Sequence, residues 1–386
     1  MKRTLLAAAL FSLAGLRADA AEKPRLVLLP FGNLSGVERA QGALVPTLAL
    51  KLTSKGWDVV RGEAVEEFLQ KERIRYVDSV TPELRKKLLS SMGAEALVSG
   101  SIYSFAEGDN SVCSLSARMV KADGTTAWSG VTGLTSEETE GLLGLGRAGP
   151  LPQLAERSLD TLLRKFPAPG GKAQAEPRGT PLLKTSPPTY KAKALAGTAV
   201  RRVCLLPFEN FTPVREAPRV LSDVLQHELV ASGRFEVVEA AELRAALVAE
   251  KIRGLSGLEN GKLAALGKRI GTSLFVRGTV YRYGDPAAKN GASTPEIDLE
   301  LALLDADAGR IVWMGENARK GRDYKGLFQL GALRSVVALA DQVLGEVVTA
   351  EGKATPKDVP AQIARRRKAL EPSETTVRAG RVGGAP

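Results

Sequence analysis

The chain has 386 residues, with 54 Lys and Arg against 43 Asp and Glu, a net charge of +11 and a pI near 9.6. Residues 1–20, 167–200 and 351–386 carry +2, +4 and +4 of that charge, leaving about +1 for everything else. This excludes a nucleic-acid binder, which needs a basic stripe on a folded surface. It puts the basic charge in flexible segments that either meet anionic lipid or cell-wall polymer or only keep those segments soluble.

In chain order, Lys2 and Arg3, the apolar run Thr4–Leu16 and Ala18-Asp19-Ala20 read as a cleavable export signal over 1–20. No Cys adjoins the cleavage site, so no lipid attachment is expected, and nothing later is apolar for long enough to span a bilayer. The expected location is the periplasm. Leu26–Pro30 is a buried strand by pattern, followed by a loop at Gly32–Gly36. A helix follows over Arg39–Ser54, then a strand at Trp57–Val60 and helices over Glu63–Arg73 and Pro82–Ser91. Ala96–Phe105, Ser111–Val120 and Thr126–Thr132 read as three antiparallel strands joined by tight turns, and Leu151–Phe166 as an amphipathic helix.

The order then repeats. Leu26–Asn33 (LVLLPFGN) returns as Val203–Asn210 (VCLLPFEN). Val59-Val60 meets Val237-Val238, Glu72–Arg75 meets Glu250–Arg253, Gly100 meets Gly278 and Tyr103 meets Tyr281, all at an offset of 178; Trp128 meets Trp313 at 185. A unit of roughly 140 residues buries its own core, so this is a duplicated domain and not a solenoid. The expected fold is α/β (α+β): two homologous three-layer domains over 21–166 and 201–350, each a mixed five-stranded sheet flanked by helices. A Pro/Gly/Ala/Lys linker joins them over 167–200, long enough for docking or independent motion, and a basic disordered tail fills 351–386.

Leu28–Asn33, Val59-Val60, Glu72–Arg75 and Ala96–Tyr103, with their partners in the second copy, resemble the domain shared by the curli-assembly CsgG family and the amino-terminal domain of TolB. A lipoprotein activator of peptidoglycan synthesis is similar. The resemblance spans nearly all of both units and implies an envelope fold and compartment. The chain lacks the long hairpins of the curli pore's barrel: Tyr103 to Cys113 is short, and Tyr281 to Ile297 is a polar loop. Neither the lipid anchor nor the TolB propeller is expected.

Residues with chemical potential were weighed copy against copy. Gly144–Gly149 matches GxGxxG but follows a polar run and not a strand, and the second copy does not keep it. His227 is the single histidine; Leu50 stands in its place in the first copy, and the expected setting is a helix surface or boundary. One His with two core-type Cys makes no zinc site. Cys113 and Cys204 lie in apolar strand positions of different copies and are expected to be separate buried hydrophobes. Glu72 and Glu250 precede Arg or Lys near helix ends, as salt-bridged or capping groups. No catalytic, cofactor or metal residues are assigned. Two surfaces remain for interaction: the Pro-Phe-x-Asn turns, with Phe31, Asn33, Phe208 and Asn210, and the basic knot Arg365, Arg366, Arg367 and Lys368. The alternative for the turns is that Phe packs under the next helix while Asn bends the loop.

The function expected is a non-enzymatic scaffold or accessory protein for an outer-membrane or cell-wall assembly, with envelope proteins as partners. Linked copies of a binding module gain avidity. A ring-forming homo-oligomeric component of a curli-type apparatus is one alternative, and an envelope enzyme another.

Overall fold

Leu26, Val27 and Leu28 are fully buried because the first strand sits inside the sheet, with neighbours on both sides. In the computed structural model the described residues are 23–74, 80–108, 110–137, 150–171, 189–191, 199–252, 260–284, 294–324 and 332–350. Strand β1 (Arg25–Leu28) pairs in parallel with β3 (Asp58–Val60) and with β4 (Ala96–Ala106). β4 then forms an antiparallel meander with β5 (Val112–Lys121) and β6 (Thr126–Thr135). Where β1 stops at the prolyl turn, the two-residue strand β2 (Gly32–Asn33) continues along β4. The order is β3-β1-β4-β5-β6, the mixed five-stranded sheet expected, with β2 as an addition.

Helices α1 (Ala40–Ser54) and α4 (Leu151–Leu162) cover one face of this sheet. Helices α2 (Glu63–Lys71) and α3 (Pro82–Met92) cover part of the other. The ends have local causes. Thr81 Oγ1 accepts from Leu84 N and Pro82 opens α3, while Gly93, at φ 60°, closes it in the left-handed region. Arg73 ends α2 at φ 54° and lets Ile74 N reach Leu69 O; Lys251 (φ 54°) and Ile252 repeat this in the second copy. The shared Glu-Arg/Lys-Ile motif is therefore a helix stop. Its glutamates pair with cations: Glu72 with Lys87 at 2.6 Å and Glu250 with Arg269 at 2.7 Å. The helix expected to run to Phe166 ends at Leu162, and the chain turns so that Phe166 packs against Trp128.

The second sheet has the same plan, from β8 (Arg201–Leu205), β9 (Glu209–Asn210), β10 (Phe235–Val237), β11 (Leu274–Gly284), β12 (Glu296–Asp305) and β13 (Arg310–Lys320). Helices α5 (Ala217–Ala231) and α8 (Val336–Thr349) cover one face, and α6 (Ala240–Ala249) and α7 (Asn260–Ile270) the other. The segment expected to be only a linker contributes strand β7 (Thr189–Lys191), which pairs with β13 at the sheet edge.

The copies dock. Helices α5 and α8 lie between the two sheets, touching β6 on one side and their own β12 and β13 or β10 and β11 on the other. Tyr103 and Val131 of the first sheet join the core of the second copy. The stack runs α1 and α4, first sheet, α5 and α8, second sheet, α6 and α7. No described helix is long and apolar enough to cross a membrane.

Candidate interaction site

The meander face of the first sheet that meets copy 2 is paved with small polar residues: Ser99, Ser101, Ser114, Ser116 and Ser129. Their size lets helices approach closely. At Gly133 a Cβ would lie 2.3 Å from Ser335 Oγ and 2.9 Å from Ala338 N, at the start of α8. Two charged clusters lock the contact. Asp223 of α5 accepts from Tyr103 Oη at 3.0 Å, Ser101 Oγ at 3.1 Å and Arg219 Nε at 3.2 Å. Burial, and next the Asp223 charge, push the Tyr103 phenol well above its ordinary value, so it stays a neutral donor. Glu239 accepts from Arg118 Nε and Thr126 Oγ1, both at 3.1 Å, and from Gln226 Nε2 at 3.0 Å.

His227 belongs to the same contact. Against the expected helix surface or boundary, it is only 7 % exposed, and its Nδ1 lies 3.0 Å from Ser129 Oγ. Its Nε2 stands 3.9 Å from Asp341 Oδ1, and with Glu228 these form a group of donors within 4.8 Å of one another. Three donors fall short of the four that close a structural zinc site. Cys113 and Cys204 are free and fully buried in different copies. Burial pushes their thiols to about 11 and about 12.

The rings in the Pro-Phe-x-Asn turns point inward. Phe31 is 2 % exposed and Phe208 is 6 % exposed, each pressed on the glycine of the facing strand, Gly100 or Gly278. Asn33 Oδ1 accepts from the Ser35 N and Oγ while its Nδ2 donates to Val37 O; Asn210 does the same with Thr212 and Val214. Phe anchors each turn and Asn folds it, the alternative that the sequence offered for these residues. Arg365–Lys368 lie outside the described residues.

The residues next to each asparagine differ between copies. Leu34, next to Asn33, packs into the core of copy 2. Its counterpart Phe211 is 60 % exposed and stacks on Tyr281 with ring centroids 5.8 Å apart. Arg277 and Leu206–Phe211 line a hollow of about 430 Å³ beside it. Tyr281 Oη is fixed by Glu300 Oε2 at 3.3 Å. An exposed aromatic on a rigid ring beside a guanidinium is the composition of an interaction hot spot. Inspection of the motif alone misses Phe211 and Arg277, because the repeat draws attention to what is kept. The signal lay in what changed, Leu34 to Phe211 and Ser99 to Arg277.

A comparison with family models matches residues 206–318 to "Peptidoglycan-synthase activator LpoB". The match lies within copy 2 and carries Pro207–Phe211, Arg277 and Tyr281. The chain thus holds an LpoB-like domain; of the relatives implied by sequence, the matching model is that of the activator and not of the curli pore or TolB. The match is to a regulator, in agreement with the expectation of a non-enzymatic chain. Curated proteins give no match. Among solved structures, the chain is similar to the PelC dodecamer from Paraburkholderia phytofirmans (13 % identity, 42 % of this chain, 96 % of that one, TM-score 0.29). It is similar also to lipoprotein GNA1162 from Neisseria meningitidis (20 %, 29 % and 82 %, TM-score 0.26). The LpoB C-terminal domain from Escherichia coli is a further neighbour (19 %, 32 % and 84 %, TM-score 0.25).

Proposed function

We propose that this chain is an exported, non-enzymatic accessory protein of the bacterial cell envelope that binds and stimulates a cell-wall synthase. The observation that carries the reading is the activator match on residues 206–318, the same copy that leaves Phe211 exposed after its turn, beside a hollow lined by Arg277 of β11. Copy 1 then serves as the rigid mate on which copy 2 is mounted, its own turn face being covered. The basic knot Arg365–Lys368 is proposed to hold the protein near anionic envelope polymer or lipid. Removing it lowers local concentration without touching the docking face.

The test is reconstitution. Purified peptidoglycan synthases of the source cell are assayed for glycan polymerisation with and without the full chain. Stimulation by the native protein, lost in the Phe211→Ala/Arg277→Ala double variant with its unfolding midpoint retained, is the expected result. Failure to bind or stimulate any of the synthases refutes the reading. Stimulation that survives the double variant keeps the function and moves the docking face elsewhere.

A further inference from the structure

Arg85 of α3 stands at a core position. The offset of 178 puts Leu263 of α7 at the same place in copy 2, and Leu263 is fully buried among apolar side chains. Leucine therefore suffices for the fold there, and the charge is peculiar to copy 1. Arg85 is only 3 % exposed, and its Nε is enclosed and donates to no described residue. The turn between β5 and β6 makes room for it: a Cβ on Gly124, at φ 97°, would lie 2.7 Å from Arg85 Nη2. An arginine keeps its charge in any protein setting, so it cannot relieve its burial by losing a proton.

The nearby carboxylates are engaged elsewhere. Asp123, in that turn, accepts from Thr125 N at 2.8 Å. Glu239 already meets Arg118 Nε, Thr126 Oγ1 and Gln226 Nε2. With Glu239 balancing Arg118, the charge of Arg85 is left over. Arg85 lines a small cavity, walled by Leu97, Ser99, Arg118 and Val120 of copy 1 and by Glu239 and Ala241 of copy 2. It leaves about 20 Å³ for the centre of a water-sized guest, enough for one water or one monatomic ion. The buried Ser99 hydroxyl is a second donor in its wall. A water fills this space and leaves the charge; an anion of similar size fills it and cancels the charge.

We propose that this cavity binds a monatomic anion, chloride, which Arg85 Nε and Ser99 Oγ hold by donated hydrogen bonds. Because both copies supply its walls, the ion binds the docked arrangement and tightens it. The site is separate from the docking face around Phe211, and its failure leaves that reading intact.

Full-length protein is crystallised from sodium bromide, and anomalous scattering is expected to place a bromide beside Arg85 Nε. A cavity without that peak overturns the proposal. In solution, urea midpoints are compared in potassium chloride and potassium gluconate at equal ionic strength. Chloride is expected to give the higher stability, with each tenfold rise above the dissociation constant raising the folded-to-unfolded ratio tenfold. Arg85→Leu installs the residue that copy 2 uses and is expected to lose this dependence. Equal stability of the native protein in the two salts overturns the proposal. A chloride dependence kept in full by Arg85→Leu overturns it too.

Discussion

At the scale of single residues, both copies keep a glycine because an aromatic ring occupies the space of its side chain. A Cβ on Gly100 would lie 2.4 Å from Phe31 Cε2 and 2.1 Å from Ser116 O, and one on Gly278 would lie 2.4 Å from Phe208 Cε1. Gly100→Ala and Gly278→Ala are therefore expected to destabilise by about 1–3 kcal/mol each, through overpacking. Urea midpoints compared with wild type check this. Cys204 offers a pH test, because copy 1 has Val27 there and shows that valine fits. The folded-state thiol is raised to about 12. Its stabilising effect is therefore complete below the unfolded value of about 8.5 and is lost as the pH climbs toward 12. Cys204→Val is expected to change stability little at pH 7 and to shift alkaline unfolding upward. A pH titration of ellipticity reads the shift.

Among elements, α1 and α5 occupy the same place in their units and lead different lives. α5 carries Asp223, Gln226 and His227 toward the first sheet, and all three positions are taken up in the contact. At the matching places α1 has Pro46, Ala49 and Leu50, and Leu50 is 70 % exposed. Polar side chains on α5 are affordable only because Tyr103, Arg118 and Ser129 answer them. The pair Arg118–Glu239 is nearly enclosed, with side chains 12 % and 8 % exposed. Arg118→Met leaves the Glu239 carboxylate in place with only Thr126 and Gln226, a change expected to cost about 3–5 kcal/mol. The double variant Arg118→Met/Glu239→Gln is expected to recover part of it. Chemical denaturation of the single and double variants decides, and equal stabilities would remove the salt bridge from the account.

For the whole molecule, the docked copies share one core and are expected to unfold together. Gly133 is the sensitive point, because the α8 amino terminus rests on it with no room for a side chain. Gly133→Val is expected to part the copies, taking Leu34, Tyr103 and Val131 out of the core of copy 2 while leaving the core that α1 and α4 cover in place. Thermal unfolding then splits from one transition into two, and the radius of gyration measured by X-ray scattering increases. A single transition with unchanged dimensions would show that the contact tolerates the added methyls.

Much of the fold was legible because it depends on local rules. Leu26–Leu28, the glycine stops, Pro82 at a helix start and the alternating strands each announce themselves within a few residues, and the repeat confirms them twice. The short strands β2 and β9 escaped because two residues carry no period, and β7 because its pairing partner lies over a hundred residues away in β13. The turn phenylalanines and asparagines were visible as residues, while their burial and loop-bending bonds depended on Gly100, Gly278 and the backbone beyond. The sequence by itself determined two similar sandwiches, because the repeat states each strand and helix twice. Only tertiary structure decided that the serine-lined face of copy 1 would be spent on docking, and hence that Phe211 would be left outside and His227 enclosed. Which of two homologous surfaces is buried depends on contacts between residues far apart in the chain, and such contacts have no period and no local signature.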